Sequence, residues 1–407
     1  LGLKPMARLE KACELTSFLK NLNTPEERLA GAQGLMAFVY GDFDPLKGHT
    51  KDTWQPGPYK ENKSRYLWTD AFGVVNYISL AKTTGESHYL DQADALIKNV
   101  HNTLGRQRGS STVSTSHQPR LKGATDEHPT RGGLRIGKVH PEEHPDGDGQ
   151  YYHYLTKWAF ALNRMSLARN DRKYNDWALD LLEAVHPHFV YKRSGSGVPS
   201  MYWKISIDMN RPMVPSEGNL DPFDGLVTVR LVKNTTAMFQ SGGAEVLVRE
   251  EQDFMAMVEA KYRRYHSSDP LDLGEALWLS HWALNSSSSG GGSGGREGSN
   301  QEEDEPWARF VATQSIQNLE QLWKGKDGYF SEPAGYRLAF REFGTTLGVQ
   351  VNVVAKNSQW KKERIDALHT FWASRVIERD MDITPVMMAS SLVPGAWDKN
   401  FKFGSEE

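Results

Sequence analysis

Cysteine is nearly missing from this chain of 407 residues, and the lone Cys13 cannot form an intrachain disulfide, so the fold must stand on packing alone. An excess of either charge is missing too. Lys and Arg number 48 against 51 Asp and Glu, a formal net charge of -3, which gives no electrostatic footprint for nucleic acid or an anionic membrane. There is no apolar run of transmembrane length, no secretory signal and no lipidation motif. Asn62-Lys63-Ser64, Asn234-Thr235-Thr236 and Asn285-Ser286-Ser287 fit a glycosylation acceptor, but that triplet recurs by chance and does not establish secretion. The expected location is cytoplasmic, with neither a nucleic-acid nor a membrane partner.

Metal and phosphate motifs are lacking as well. His140, His144 and His153 sit on or beside a Pro/Gly-rich loop at a spacing that matches no standard ligand set. The stretch from Arg131 to Lys138 (RGGLRIGK) has the glycines of a phosphate loop without its strand–loop–helix setting or its Lys-Ser/Thr ending. No metal and no cofactor are expected. Its three cations remain a candidate clamp for an acidic sugar or carboxylate, Arg135 first among them.

What the chain does have is aromatic residues and helical periodicity. Aromatics make up 11% of it, with 12 Trp, enough both to fill a large core and to leave some rings as stacking surfaces. Residues 3–22 read as a helix with Met6, Leu9, Cys13, Leu15 and Phe18 on one face, which makes Cys13 a small core residue. Thr24-Pro25-Glu26-Glu27 is a helix start: a capping hydroxyl, Pro in the first turn and acids near the positive end of the dipole.

A pattern then repeats. An apolar helix over 66–83 is followed by a tight connector and an amphipathic helix over 89–104. The same alternation recurs at 151–167 with 174–189, 223–236 with 245–265, 273–284 with 307–323, and 336–354 with 360–378. With the two N-terminal helices this makes six hairpins, each of which has to shelter its apolar face against its neighbours. The Ser/Gly/acid tract at 286–305 falls inside one predicted pair and reads as a flexible surface insertion in a single domain of residues 1–407, with two domains meeting there as the competing reading.

The hairpin repeat, the aromatic-plus-acid opening Tyr66-Leu67-Trp68-Thr69-Asp70 and connectors such as Thr84-Gly85-Glu86-Ser87 resemble the six-hairpin glycosidase superfamily. That group includes unsaturated glucuronyl hydrolases, several glucanases and the related N-acylglucosamine 2-epimerases. The resemblance covers nearly the whole chain and implies an all-α fold, the (α/α)6 toroid. It also implies a ligand site where the loops leading into the inner helices converge. It matches no single family's catalytic motif, so it carries over no catalytic role.

Those loops are rich in functional groups. The 200–224 stretch is too dense in Pro, Gly and Asn for a helix, yet it carries Trp203, Lys204, Glu217, Asn219, Asp221 and Asp224. The 41–70 loop brings Trp54, Trp68 and Asp70, the 106–153 loop Asp148, Tyr151 and His153, and a fourth ends near Tyr336, Arg341 and Glu342. Glycoside hydrolysis needs one protonated and one ionised carboxyl group, and Asp70, Asp148, Glu217, Asp221 and Asp224 are the candidates. Trp54, Trp68, Trp203 and Tyr151 would shape sugar subsites, with Lys204 and Asn219 as polar contacts. Two alternatives stay open: a sugar epimerase or isomerase that moves protons with His153 and His281, and a non-catalytic toroid that binds a small ligand.

Overall fold

The computed structural model describes residues 5–57, 65–109, 118–192, 195, 197–240, 243–285, 304–325, 328–360, 362–378 and 380–403. The glycosylation-like triplet at 62–64 and nearly all of the 286–305 tract lie outside these residues. The helices are, in order, α1 (Pro5–Leu19), α2 (Pro25–Tyr40), α3 (Leu67–Thr84), α4 (His88–Thr103), α5 (Tyr152–Arg169), α6 (Arg172–Phe189) and α7 (Asp221–Phe239). There follow α8 (Val248–Lys261), α9 (Pro270–His281), α10 (Pro306–Trp323), α11 (Ala339–Val351), α12 (Val353–Lys356), α13 (Lys362–Ala373) and α14 (Ile383–Leu392). No helix among the described residues is long and apolar enough to cross a membrane.

Six of these close an inner ring in the order α3, α5, α7, α9, α11, α14 and back to α3. The helices α4, α6, α8, α10 and α13 back the first five from outside, which makes the fold an (α/α)6 toroid. The sixth pair differs from the expected N-terminal hairpin. Its inner member is α14, its outer member is α2, and α1 lies farther out against α2 and α13. Helix α14 escapes a sequence search because it is only ten residues long and buried throughout Thr384–Leu392, and a short apolar run does not distinguish helix from strand. The outlying position of α1 also corrects Cys13, which is exposed; among residues 10–19 the buried positions are Ala12 and Leu19.

Local chemistry explains the helix ends. Thr24 and Glu27 form a reciprocal capping box at the start of α2. Gly85, in the left-handed region at φ 75°, ends α3. Between α5 and α6 Asn170 takes a left-handed turn, and Asp171 accepts from the Lys173 N–H to start the next helix.

Short strands order the long loops. In the sequence-singled 200–224 stretch, β4 (Lys204–Ile205) pairs antiparallel both with β1 (Gln150–Tyr151) and with β5 (Pro212–Val214). A separate hairpin joins β2 (Val190–Lys192) to β3 (Pro199–Met201). Inside the ring, the axis is plugged by Phe72 of α3, Phe160 of α5, Trp278 of α9 and Trp397 from the turn after α14. Trp397 lies 4.4 Å from Phe72 and 5.0 Å from Phe160, ring centre to ring centre. The Trp278 Nε1–H donates to the Trp397 carbonyl at 3.0 Å, fixing the plug.

Helices α9 and α11 approach most closely through glycines. A Cβ on Gly348 would stand 2.0 Å from the Gly274 carbonyl oxygen, and one on Gly274 would stand 2.3 Å from that of Gly344. Gly→Ala in an uncrowded helix stabilises by roughly 1 kcal/mol. Here the sign reverses: Gly348→Ala is expected to destabilise by about 2–3 kcal/mol, because the clash is with backbone that cannot rotate away. Urea denaturation checks this, and an unchanged or higher midpoint would refute the close-packed seam.

Candidate carboxylate site at the mouth of the ring

The N-terminal parts of the inner helices converge at one end of the ring. Helix α7 opens with Asp221 and Asp224, and α9 carries Asp272 and Glu275 in its first turns. Each pair is spaced three residues apart, so both acids of a pair share a helix face. Helix α5 adds His153 and, four residues on, Lys157. Below them a cavity of about 20 Å³, room for a single water, is lined by Trp68, Phe72, Lys157, Glu275, Trp278 and neighbours from α11 and α14.

Lys157 is the hub. Its ammonium lies 2.5 Å from Asp224 Oδ1 and 2.6 Å from Glu275 Oε1, and 4.7 Å from the centre of the Trp278 ring. Lys157 and Asp224 are buried, whereas the Glu275 side chain keeps 12% of its surface open. The two carboxyl groups thus share one ammonium. Burial pushes Asp224 well above the usual carboxylate range, and Lys157 only partly offsets it. Burial also works against Glu275, but Lys157, the hydrogen bond with Asp224 and His153 together hold it below its ordinary value. Burial opposes the charge on Lys157, and the two carboxyl groups outweigh it and raise its pKa.

Asp221 stands above this group, nearly buried. Burial raises it to about 7, with the Gly218 N–H pulling it down and Glu275 pushing it up. Its Oδ1 lies 3.7 Å from His153 Nδ1. Burial lowers His153 to about 4, so its imidazole is neutral near pH 7. The β1–β4 pairing sets a flat platform beside this pair: Tyr151 stacks on Trp203 at 5.4 Å and 9°, and on His153 at 5.7 Å and 16°. Trp203 is 37% exposed, and its indole N–H donates to His153 Nδ1 at 3.4 Å. Trp68 meets the other edge of His153 at 5.9 Å. Asn219 reaches across to Asp272, donating at 2.7 Å, and burial raises Asp272 as well.

Tyr151, His153, Trp68, Trp203, Asn219, Asp221 and Asp224 are thus brought together. Glu217 lies on the approach to α7, exposed and paired with Lys261 at 2.8 Å. The remaining candidates are placed elsewhere. Asp70 points off the cavity, accepting from the Tyr40 hydroxyl and from Arg65 behind α3. Asp148, fully buried, takes Arg108 at 2.8 Å, Arg135 at 2.6 Å and the N–H groups of Gly137, Lys138 and Gly149. It therefore ties down the long loop rather than facing a ligand, and the same contacts remove Arg135 as a clamp. Lys204 is buried behind the platform, donating to the Gly147 carbonyl and sitting 5.4 Å from the Tyr151 ring centre. Trp54 is core, packed edge-on to Phe43 and Tyr77. His281 is buried at the far end of α9, its Nδ1 on the Trp278 carbonyl and its Nε2 accepting from the Lys399 N–H at 3.0 Å.

Lys157, Asp272 and Glu275 are the site residues that sequence reasoning missed. The signal was present: Asp269-Pro270 starts a helix, and counting from it puts Asp272 and Glu275 on one face. A roomier cavity of about 490 Å³ lies outside the ring beside α4 and α6, but most of its charges are already engaged, Lys98 with Asp52, Arg120 with Asp126 and Asp94 with Arg169.

No protein-family model matches the chain, and no curated protein does. Among solved structures the chain is similar to a family 76 glycoside hydrolase from a bovine Bacteroides thetaiotaomicron strain, with a TM-score of 0.53 and 11% identity over 92% of this chain and 77% of that one. It is equally similar to a D-mannose isomerase, with a TM-score of 0.53 and 10% identity over 92% of this chain and 97% of that one. At such identities the likeness is one of fold, and the fold is the six-hairpin toroid.

Proposed function

We propose that the chain is a carbohydrate-active enzyme, a glycoside hydrolase with Asp221 as general acid and Glu275 as the ionised carboxylate, acting as base or nucleophile. The observation that carries this reading is the opposite state of two acids on neighbouring helices at one mouth. Burial keeps a proton on Asp221 up to about pH 7, while Lys157 helps hold Glu275 ionised. A pair of carboxyl groups driven apart in this way is what bond cleavage at a sugar acetal requires. The Tyr151–Trp203 platform supplies a flat apolar face of the kind on which sugar rings stack. The substrate, an oligosaccharide or smaller sugar, would lie on the platform above the one-water cavity. The likeness of fold to a glycoside hydrolase supports the same class. In this reading residues 1–407 act as one toroid domain, with 286–305 inserted in it.

Sugar isomerisation is the second reading, favoured by the fold shared with a D-mannose isomerase and by the neutral His153 beside Asp221. The two-histidine form of it fails, because His281 is buried away from the mouth with both ring nitrogens engaged.

Incubation with a panel of oligosaccharides, followed by reducing-end assay and solvent-deuterium uptake, separates the two. Hydrolysis predicts new reducing ends. It also predicts that Asp221→Asn and Glu275→Gln each lower kcat by about 10²–10⁴-fold, with smaller changes in KM. Deuterium at the carbon beside the carbonyl without bond cleavage would replace hydrolysis by isomerisation, and full turnover in either variant would remove both assignments. Trp203→Ala is expected to raise KM by roughly 3–10-fold, the loss of one stacking contact, with less effect on kcat.

The acid assignment also fixes a stability trend. Folding raises Asp221 from 3.8 to about 7, so the folded state binds its proton more tightly than the unfolded chain. That contribution is complete below the unfolded value and is lost as the pH climbs to the folded one. Asp221→Asn should therefore gain on the wild type between about pH 4 and pH 7, by up to about 4 kcal/mol at 1.36 kcal/mol per unit. Thermal melts of both proteins across that range check it, and a pH-independent difference would contradict a buried, protonated Asp221.

A further inference from the structure

We propose that Lys157 and Asp224 are a positioning pair for Glu275, with Asp224 present as a neutral carboxylic acid that donates its one proton to the Glu275 carboxylate. The inference rests on the reading of Glu275 as the ionised catalytic group, and goes beyond it to what holds that group ready.

Charge balance comes first. A single ammonium lies between two carboxyl groups at 2.5 and 2.6 Å, in a place closed below by Trp278 and Phe72. Two carboxylates there would leave a net buried negative charge, which a low-dielectric interior penalises by several kcal/mol. One proton shared between them makes the group neutral overall. Hydrogen-bond accounting agrees: no N–H or O–H of a neighbouring residue reaches Asp224 Oδ2, although that atom is buried. A proton on Asp224 gives that buried oxygen a hydrogen to donate, whereas two ionised carboxylates gathered on one ammonium are acceptors only and repel each other.

Exposure decides which acid carries it. Asp224 is fully buried, whereas Glu275 keeps part of its surface toward the cavity and so retains the better-solvated charge. The groups facing Glu275 are Lys157 and His153 from α5, Asp221 and Asp224 from α7, and Asp272 and Tyr265 on or just before its own helix. Helices α3, α11 and α14 present to the cavity only Trp68, Phe72, Gly344, Leu347 and Met387, none of them charged. Lys157 is therefore the strongest cationic influence on Glu275, and the neutral Asp224 leaves that influence undivided.

Two measurements test this. The first needs no substrate. At about pH 9, above the titration of Asp221, the wild type should show the infrared carbonyl band of a buried protonated carboxyl group, and Asp224→Asn should lack it. A band that survives in Asp224→Asn but vanishes in Glu275→Gln would put the proton on the other acid and overturn the proposal, as would no band at all. The second is the pH–rate profile. Lys157→Met and Asp224→Leu should each move the acidic limb of kcat/KM upward, by about 1–3 pH units for the lost cation. Lys157→Arg and Asp224→Asn, which keep a cation and a neutral donor, should bring the limb back toward the wild-type position. A limb that stays put in folded Lys157→Met would end the positioning role and leave the hydrolase reading standing. A wild type with no activity would end the hydrolase reading, while the infrared band would still decide where the proton sits. Were Lys157→Met unable to fold, Asp224→Leu and Asp224→Asn would carry the comparison.

Discussion

One buried ammonium joins three inner helices. Lys157 of α5 reaches Asp224 of α7 and Glu275 of α9 at the point where α7 and α9 touch each other least of any neighbouring pair in the inner ring. Elsewhere the ring closes by close packing and neutral hydrogen bonds, with Gly274, Gly344 and Gly348 letting α9 and α11 come together backbone to backbone and Asn76 of α3 donating to the Val386 carbonyl of α14. Between α7 and α9 a charge cluster stands in place of that packing. Buried ion clusters are poor stabilisers, since apolar residues of similar shape do as well or better. Packing alone gives no reason for a lysine between two acids at this level of the toroid. A need for one carboxylate held ionised does.

The aromatic plug makes that arrangement effective. Phe72, Phe160, Trp278 and Trp397 fill the axis directly beneath the cluster, and the Trp278 ring also faces the Lys157 ammonium. With bulk solvent kept from that side, a charge at 2.6 Å acts far more strongly than it would in water. Trp397 comes from the turn after α14, so the part of the chain that completes the ring also seals the floor of its cavity.

The toroid was legible because outer helices such as α4 and α6 bury one face and leave a period behind, and because connectors such as Asn170-Asp171 carry their own capping chemistry. Helix α14 was not, since ten residues buried on every side leave neither a period nor the length that marked α3 as a helix. The site was legible in part. The density of polar groups around Trp203, Asp221 and Asp224 pointed to one wall of the mouth, whereas the facing wall, Lys157 with Asp272 and Glu275, lies inside helical runs whose apolar neighbours masked it. The candidates that lie elsewhere share a cause. Asp148, Arg135 and Lys204 are charged groups consumed by the backbone of the loops they hold, and sequence does not distinguish a loop's own fastening from a group offered to a ligand. Trp54 and His281 failed for the complementary reason: their neighbours in space, Tyr77 and Lys399, are distant in sequence.

The division of labour among the acids follows from geometry that all of them share. Asp221, Asp224, Asp272 and Glu275 sit in the first turns of two inner helices, where the positive end of the helix dipole favours the ionised form. Burial opposes it at every one of them, and burial wins at Asp221, Asp224 and Asp272. Glu275 is the exception: it shares the Lys157 ammonium with Asp224, but keeps 12% of its side chain open where Asp224 is fully buried. Lys157 and unequal burial together separate these acids, holding Glu275 low while burial raises Asp221 to about 7 within reach of a neutral imidazole.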